Sequence, residues 1–322
     1  MTTSRSRFIY LAIAVVAGLL MPVQSRINGA LGSELDNPFA TAAVSFGVGF
    51  LALLAFSLLV PAARRGLARM PKALATRQFP WWYLAAGAVG GFVVVSQSAA
   101  VPVIGVALFT VCVVTGQSIG SMLIDRIGFG PAAPRKINAG RLVGVVLTIA
   151  GVVWAVSPRL GTSSQVSALV LPMVFTLVVG MLMGFQTAAN GVQTQVYGTP
   201  VTATLMNFTV GLAVLLVIFA VRLPFSGPLG GFPHQWWYYT GGLLGCLYIG
   251  AAAFLVKHLG VLVTGLCTIG GQLVGSLLLD AFFPSPGTHI GFATVAGTVL
   301  TLLAVALASV SGSKSQAVAA GK

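Results

Sequence analysis

Residues 24–49 read QSRINGALGSELDNPFATAAVSFGVG, and residues 186–211 read QTAANGVQTQVYGTPVTATLMNFTVG, one pattern written twice at an offset of 162 (186 − 24). The alignment pairs Gln24 with Gln186, Asn28 with Asn190, Pro38 with Pro200 and Phe46 with Phe208. A second set of blocks follows in the same order. WWYLAAGAVGG from Trp81 matches WWYYTGGLLGC from Trp236, and TGQSIGSMLID from Thr115 matches GGQLVGSLLLD from Gly270, both at an offset of 155 (236 − 81). Ordered, repeated blocks mark a tandem duplication in which each half is one structural unit. The halves are read as 1–160 and 161–310, followed by a disordered cytoplasmic tail over 311–322.

The solvent these halves expect is a bilayer. Hydrophobic residues make up 57% of the chain and charged residues only 7%, against roughly 25% charged in soluble domains. Ten apolar stretches are placed near 8–30, 39–60, 81–100, 104–124, 141–157, 166–190, 201–221, 236–255, 261–279 and 290–310. Each approaches the roughly 20 residues that carry a helix across the hydrocarbon. They are continuously apolar and do not alternate, so they read as helices that satisfy their own backbone and not as barrel strands. The expected fold is an all-α membrane protein of five plus five helices. An odd number of spans per half makes the second half enter the membrane upside down, so the repeats are inverted, the arrangement that lets two similar halves exchange shapes around a central site.

The net charge of +13 agrees with this layout and calls for no nucleic-acid partner. Arg64, Arg65, Arg69, Lys72 and Arg77 share one loop, and Arg126, Arg135, Lys136 and Arg141 another. With Arg5, Arg7, Lys257, Lys314 and Lys322 these fall on one side of the membrane, and only Arg159 and Arg222 fall on the other. The bias places both termini in the cytoplasm, in a multi-pass protein of the bacterial inner membrane. Arg5 and Arg7 ahead of an apolar run resemble a signal peptide, but Gln24–Gly32 recurs in the second half as structure, so the first helix is read as retained. Cys112, Cys246 and Cys267 all fall in spans without ligand spacing and are read as packing residues.

The paired Gln, Asn-Gly and Pro, the Phe-x-x-Gly helix, the WWY block and the Gly-Gln-x-x-Gly-Ser run with its trailing Asp resemble the YdcZ-type bacterial membrane proteins. These belong to the drug/metabolite transporter superfamily, with short five-span and fused ten-span members. The resemblance omits only the loop near 61–79 and the C-terminal tail. It implies an EamA/EmrE-like fold and a secondary transporter of small molecules, and it names no cargo.

Candidate site residues follow from polarity at depth. Gln117 and Gln272 are expected near mid-membrane, each with a serine, Ser121 or Ser276, one turn on. A buried amide in hydrocarbon needs partners, so these faces point into the bundle or a wet cavity. They are read as substrate-binding, with hydrogen bonds between helices as the competing reading. Gly116-x-x-x-Gly120 and Gly271-x-x-x-Gly275 allow close backbone approach, and the expectation is that helix 4 packs on helix 9. Gln24 with Asn28, and Gln186 with Asn190, lie at opposite mouths and are read as gates, or as networks that satisfy helix ends. Arg26, opposite Ala188 in the other half, has three readings: a pair with Asp280, a snorkelling cation, or an anion site.

Only four acids occur. Glu34 and Asp36 are placed in an outer loop, and Asp125 and Asp280 at helix ends. If protons are used, Asp125 or Asp280 must carry them, since His234, His258 and His289 are placed in loops, and the competing reading of Asp125 is a solvated helix-end charge beside Arg126. Small multidrug antiporters of the same superfamily depend on a glutamate in the first helix, where this chain has Gln24 and Gln186. The WWY blocks are read as an interfacial aromatic belt. No nucleophile cluster, metal-ligand spacing or Walker glycine loop occurs, so neither an enzyme nor a cofactor or metal is expected. The expected function is movement of a small metabolite or drug-like solute by alternating access, as a monomer or homodimer in the lipid bilayer. The alternative is a non-transporting membrane scaffold or lipid-interacting protein.

Overall fold

A computed structural model describes residues 4–129, 137, 139–159, 163–259, 261–285, 288 and 290–320. Arg135, Lys136, His289 and Lys322, named above, lie outside that set. The regular structure among the described residues is helical throughout: α1 (Ser4–Leu35), α2 (Pro38–Leu59), α3 (Pro61–Ala75), α4 (Ala86–Ile127), α5 (Ala139–Val156), α6 (Ser163–Tyr197), α7 (Pro200–Arg222), α8 (Gly241–Leu259), α9 (Val261–Phe282) and α10 (Phe292–Ala320). Among the described residues seven apolar helical stretches are long enough to cross a membrane, and Gly241–Ala252 and Phe292–Ala308 are shorter apolar helices.

The starts of α2 and α7 show how the repeat writes structure. Asn37 caps α2 by accepting from the Phe39 and Ala40 amides at 3.1 and 3.0 Å, and Thr199 caps α7 by accepting from the Val201 amide at 3.3 Å. In both, proline occupies the first helical position, where its missing N–H costs nothing. Asn37 and Thr199 are repeat equivalents.

Helix α4 carries the break that lets one apolar run serve twice. At about 1.5 Å per residue its 42 residues would extend about 63 Å, roughly twice the bilayer core. The chain instead reverses at Gly105, whose φ of 81° lies in the left-handed region that favours glycine. Packing along α6 reports the reversal. On the first arm, Gln193 donates to the Tyr83 carbonyl and Gly90 faces Gln186, so that arm runs antiparallel to α6. On the second arm, Gly116 faces Leu177 and Gly120 faces Met181, so it runs parallel. The spans expected over 81–100 and 104–124 are these two arms.

Three expectations are corrected. The segment near 61–79, read as a loop, contains the helix α3. Its exposed face carries Arg64, Arg65, Arg69 and Lys72, while Ala63, Gly66 and Ala73 are buried, Gly66 against Thr199 and Thr202 at the start of α7. That is an amphipathic pattern, which a search for apolar runs passes over. His258 stands in the last turn of α8, its ring beside Tyr10 and Phe254. The tail expected from 311 is the continuation of α10, which reaches Ala320. The WWY blocks form short 3-10 turns, Trp81–Ala85 and Trp236–Tyr239, just ahead of α4 and α8. Trp81 and Trp236 are 76% and 77% exposed.

Candidate functional site

The two halves meet along seams that are themselves repeated. Helices α1 and α9 approach so closely that a Cβ on Gly18 would overlap the Thr268 carbonyl, and one on Gly271 the Val15 carbonyl. Helix α6 and the second arm of α4 do the same through Gly180 against Val113 and Gly116 against Leu177. Adding 162 to Gly18 gives Gly180, and subtracting 155 from Gly271 gives Gly116. The glycine stripes of α4 and α9 therefore pack on the first helix of the opposite repeat, and the expected use of them against each other is replaced. Backbone approach of this kind is what small residues contribute where lipid removes the hydrophobic drive. Between the seams, Phe46 and Phe208 stack at 4.6 Å with an interplanar angle of 22°, each against the glycine equivalent to the other's neighbour, Gly211 and Gly49.

Polar side chains surround this stack in two sets. In the first, Ser25 gives its hydroxyl proton to the Met21 carbonyl at 2.9 Å, which leaves its oxygen to accept from Gln97 Nε2 at 3.1 Å. Gln97 Oε1 must then accept, and it receives Asn28 Nδ2 at 2.7 Å. The chain is buried and its direction is fixed end to end. Asn28 also meets Gly241 in the first turn of α8, and Gln24 meets Gly245. In the second set, Asn207 Nδ2 donates to Asn190 Oδ1 at 2.6 Å, and Gln186 lies against Gly90 in the first turns of α4. Three of the four expected gate residues thus face a helix that follows a WWY block, Gln24 and Asn28 the start of α8 and Gln186 the start of α4, whereas Asn190 bonds to Asn207 on α7. Gln24 and Asn28 are buried, whereas Gln186 and Asn190 are half-buried.

Sequence reasoning passed over Ser45, Gln97, Asn207 and Tyr248. Ser45 and Asn207 were within reach, because they are repeat equivalents that precede the paired phenylalanines. Gln97 and Tyr248 align with Ala252 and Val93, so the repeat gave no signal for them.

The four expected substrate residues are placed less uniformly. Gln272 is 6% exposed and donates to the Tyr248 hydroxyl at 3.1 Å, and Ser276 is buried and donates to the Leu273 carbonyl of its own helix at 2.8 Å. Gln117 and Ser121 are half-buried. None of the four lines the cavity of about 470 Å³ that lies between the start of α2, the first arm of α4, α6 and the end of α7. That cavity has Phe39, Val95, Phe175 and Phe225 in its walls and Asp36 and Arg222 at its rim, with the Arg222 guanidinium 5.1 Å above the Phe39 ring. Its volume falls in the range of solute pockets.

The remaining charged residues sort by partner. Asp280 is 4% exposed and accepts from the Val106 and Ala107 amides at 3.1 and 2.7 Å and from the Thr288 hydroxyl at 3.2 Å. Its carboxylate therefore caps the second arm of α4, where the helix dipole favours negative charge. Arg26 is not its partner. The guanidinium donates instead to the Pro284 carbonyl at 3.1 Å and to the Ser285 hydroxyl. Asp125 pairs with Arg141 at 2.6 Å. Glu34, in the last turn of α1, accepts from the Tyr238 hydroxyl at 3.1 Å. Burial, then that hydrogen bond and the Glu34 charge, raise the Tyr238 phenol above its ordinary pKa, and Arg26 opposes them. Among the described residues no group of three or more His, Cys, Asp or Glu side chains is disposed to hold a metal ion.

Comparison with known proteins agrees with the repeat. The family described as "Putative inner membrane exporter, YdcZ" matches residues 9–154 and again residues 171–307. Inner membrane protein YdcZ of Escherichia coli (strain K12) is 28% identical over 140 residues, which is 41% of this chain and 91% of that protein, so the relative is about the size of one repeat. A crystal structure of another protein, 14% identical, superposes with a TM-score of 0.55 over 97% of this chain and 99% of its own, which shows a shared fold. Two family matches over the two repeats, on a framework of apolar helices, establish that the chain belongs to the YdcZ family of inner membrane proteins.

Proposed function

We propose that this chain is a secondary transporter of a small metabolite or drug-like solute, built from two inverted five-span halves that alternate access to a site between them. One observation carries the reading: the seams, the Phe46–Phe208 stack and the contacts of Gln24 with Gly245 and Gln186 with Gly90 recur at offsets of 162 and 155, so each half offers the other a similar surface. A two-fold arrangement of that kind has two equivalent tilts, and exchanging them moves access from one end to the other. Both termini are cytoplasmic in this reading. The cavity rimmed by Asp36 and Arg222 is then the outer vestibule. Gln117 and Ser121 with Gln272 and Ser276 contact the solute, and Gln24 with Asn28, and Gln186 with Asn190, seal the two mouths in turn.

The bond from Gln272 to Tyr248 favours a second reading, a membrane scaffold in which the amides only join helices. A ligand-induced stability change separates the two, because a solute that binds the folded state raises its melting temperature. The purified protein is screened against a metabolite and drug library, alongside Gln117→Ala and Gln272→Ala. Transport predicts stabilising compounds whose effect disappears in both folded variants. Absence of any stabilising compound, or hits unaffected by either substitution, contradicts the assigned site.

A further inference from the structure

Arg26 is left without a role by the transport reading. The structure joins it to an apolar groove of about 190 Å³ between α1 and α9, lined by Leu19, Val23, Leu278, Leu279, Phe282 and Phe283. Gly275 forms its floor, because a side chain there would run into Leu19 and Pro22. The groove is smaller than the roughly 300 Å³ at which solute pockets begin. Its walls belong to two helices that are long and apolar enough to cross a membrane.

Arg26 does not line this groove but lies about one turn beyond it on α1. It lies three residues beyond Val23 and so continues the same face of α1. Its two recorded partners, Pro284 and Ser285, directly follow Phe283. A guanidinium carries five N–H donors, and two of its nitrogens are engaged by that loop. The nearby carboxylates are committed elsewhere, Asp280 to the Val106 and Ala107 amides and Glu34 to Tyr238. The site therefore presents an apolar slot with a half-buried cation at its end that forms no ion pair among the described residues, Glu34 lying near it against Tyr238. Acyl chain and phosphate are the groups that fit those two parts, and arginine takes phosphate oxygens through paired donors.

We propose that Arg26 and the α1–α9 groove bind one membrane phospholipid, its phosphate on the guanidinium and one acyl chain along Leu19, Val23 and Leu278. The proposal rests on the membrane-spanning reading and is independent of alternating access. It is one-sided, because the repeat equivalent of Arg26 is Ala188. The lipid also clasps the seam between the halves, since the same two helices meet at Gly18 and Gly271.

The test uses delipidated full-length protein in neutral detergent and follows thermal unfolding with three additions: phosphatidylglycerol, diacylglycerol with the same chains, and glycerol 3-phosphate. Arg26→Gln and Leu278→Trp are measured in parallel, the second filling the groove from an exposed position. Phosphatidylglycerol is expected to raise the melting temperature by a few degrees and to appear as one bound lipid in native mass spectrometry. Diacylglycerol and glycerol 3-phosphate are expected to have little effect, and each substitution to remove most of the shift while the lipid-free protein still unfolds cooperatively. An equal rise with diacylglycerol or with glycerol 3-phosphate overturns the proposal. So does a full phosphatidylglycerol shift in either variant, or none in the wild type.

Discussion

Asp280 and Asp125 occupy equivalent places in the two repeats and are held in different ways. Asp280 is buried and bonded to two backbone amides at the reversal of α4, with the Thr288 hydroxyl as a third donor. Asp125 keeps a side chain 28% exposed and pairs with Arg141. One carboxylate is an internal part of a helix start, and the other belongs to a partly exposed ion pair. Duplication preserved the backbone path and the glycine seams while the charge environment diverged, so the ends of the molecule are alike in shape and unlike in electrostatics.

That contrast orders the consequences of substitution. Asp280→Leu leaves the Val106 and Ala107 amides without their acceptor, and chemical denaturation in detergent is expected to show a loss of about 3 kcal/mol. A loss no greater than that of Asp125→Leu would remove the distinction. Gly105→Ala adds a Cβ 2.9 Å from Asp280 Oδ2 at φ 81° and ψ 167°, and should cost about 2 kcal/mol, mainly from a backbone conformation that is essentially restricted to glycine. Gln97→Leu breaks the directed chain from Asn28 to Ser25, at about 1 kcal/mol for each hydrogen bond lost. Amide exchange near Asn28 should rise with it, and unchanged protection would show that the chain does not hold the helices together. Asp125→Asn comes last, below about 1 kcal/mol after allowance for solvent screening of a partly exposed pair, and its effect should shrink further in high salt.

Much of the architecture was legible because duplication prints the same constraint twice. The offset of 162 relates Gly18 to Gly180 and Asn37 to Thr199, and the structure uses both pairs in matching ways. The spacing of glycines on α4 and α9 announced close packing but not its partner, since a stripe of small residues accepts any helix that presents another. Helix α3 was hidden by its composition: PAARRGLARMPKALA lacks an apolar run and contains two internal breakers, Gly66 and Pro71, yet it buries one narrow face on α7. Gln97 and Tyr248 lie where the repeat has diverged, and single-sequence symmetry has nothing to say there. Arg26 was legible as an anomaly, but its partners come from a loop 258 residues away.

The central claim is that equivalent segments of the two repeats face opposite sides of the membrane. Gln78 and Gln235 are exposed and stand just ahead of the two WWY blocks, so single cysteines placed there, in a background without Cys112, Cys246 and Cys267, report the sidedness directly. Membrane-impermeant maleimide applied to intact cells is expected to label Gln235→Cys and spare Gln78→Cys until the cells are opened. Labelling of both positions from the same side would contradict the inverted arrangement and, with it, the exchange of equivalent halves.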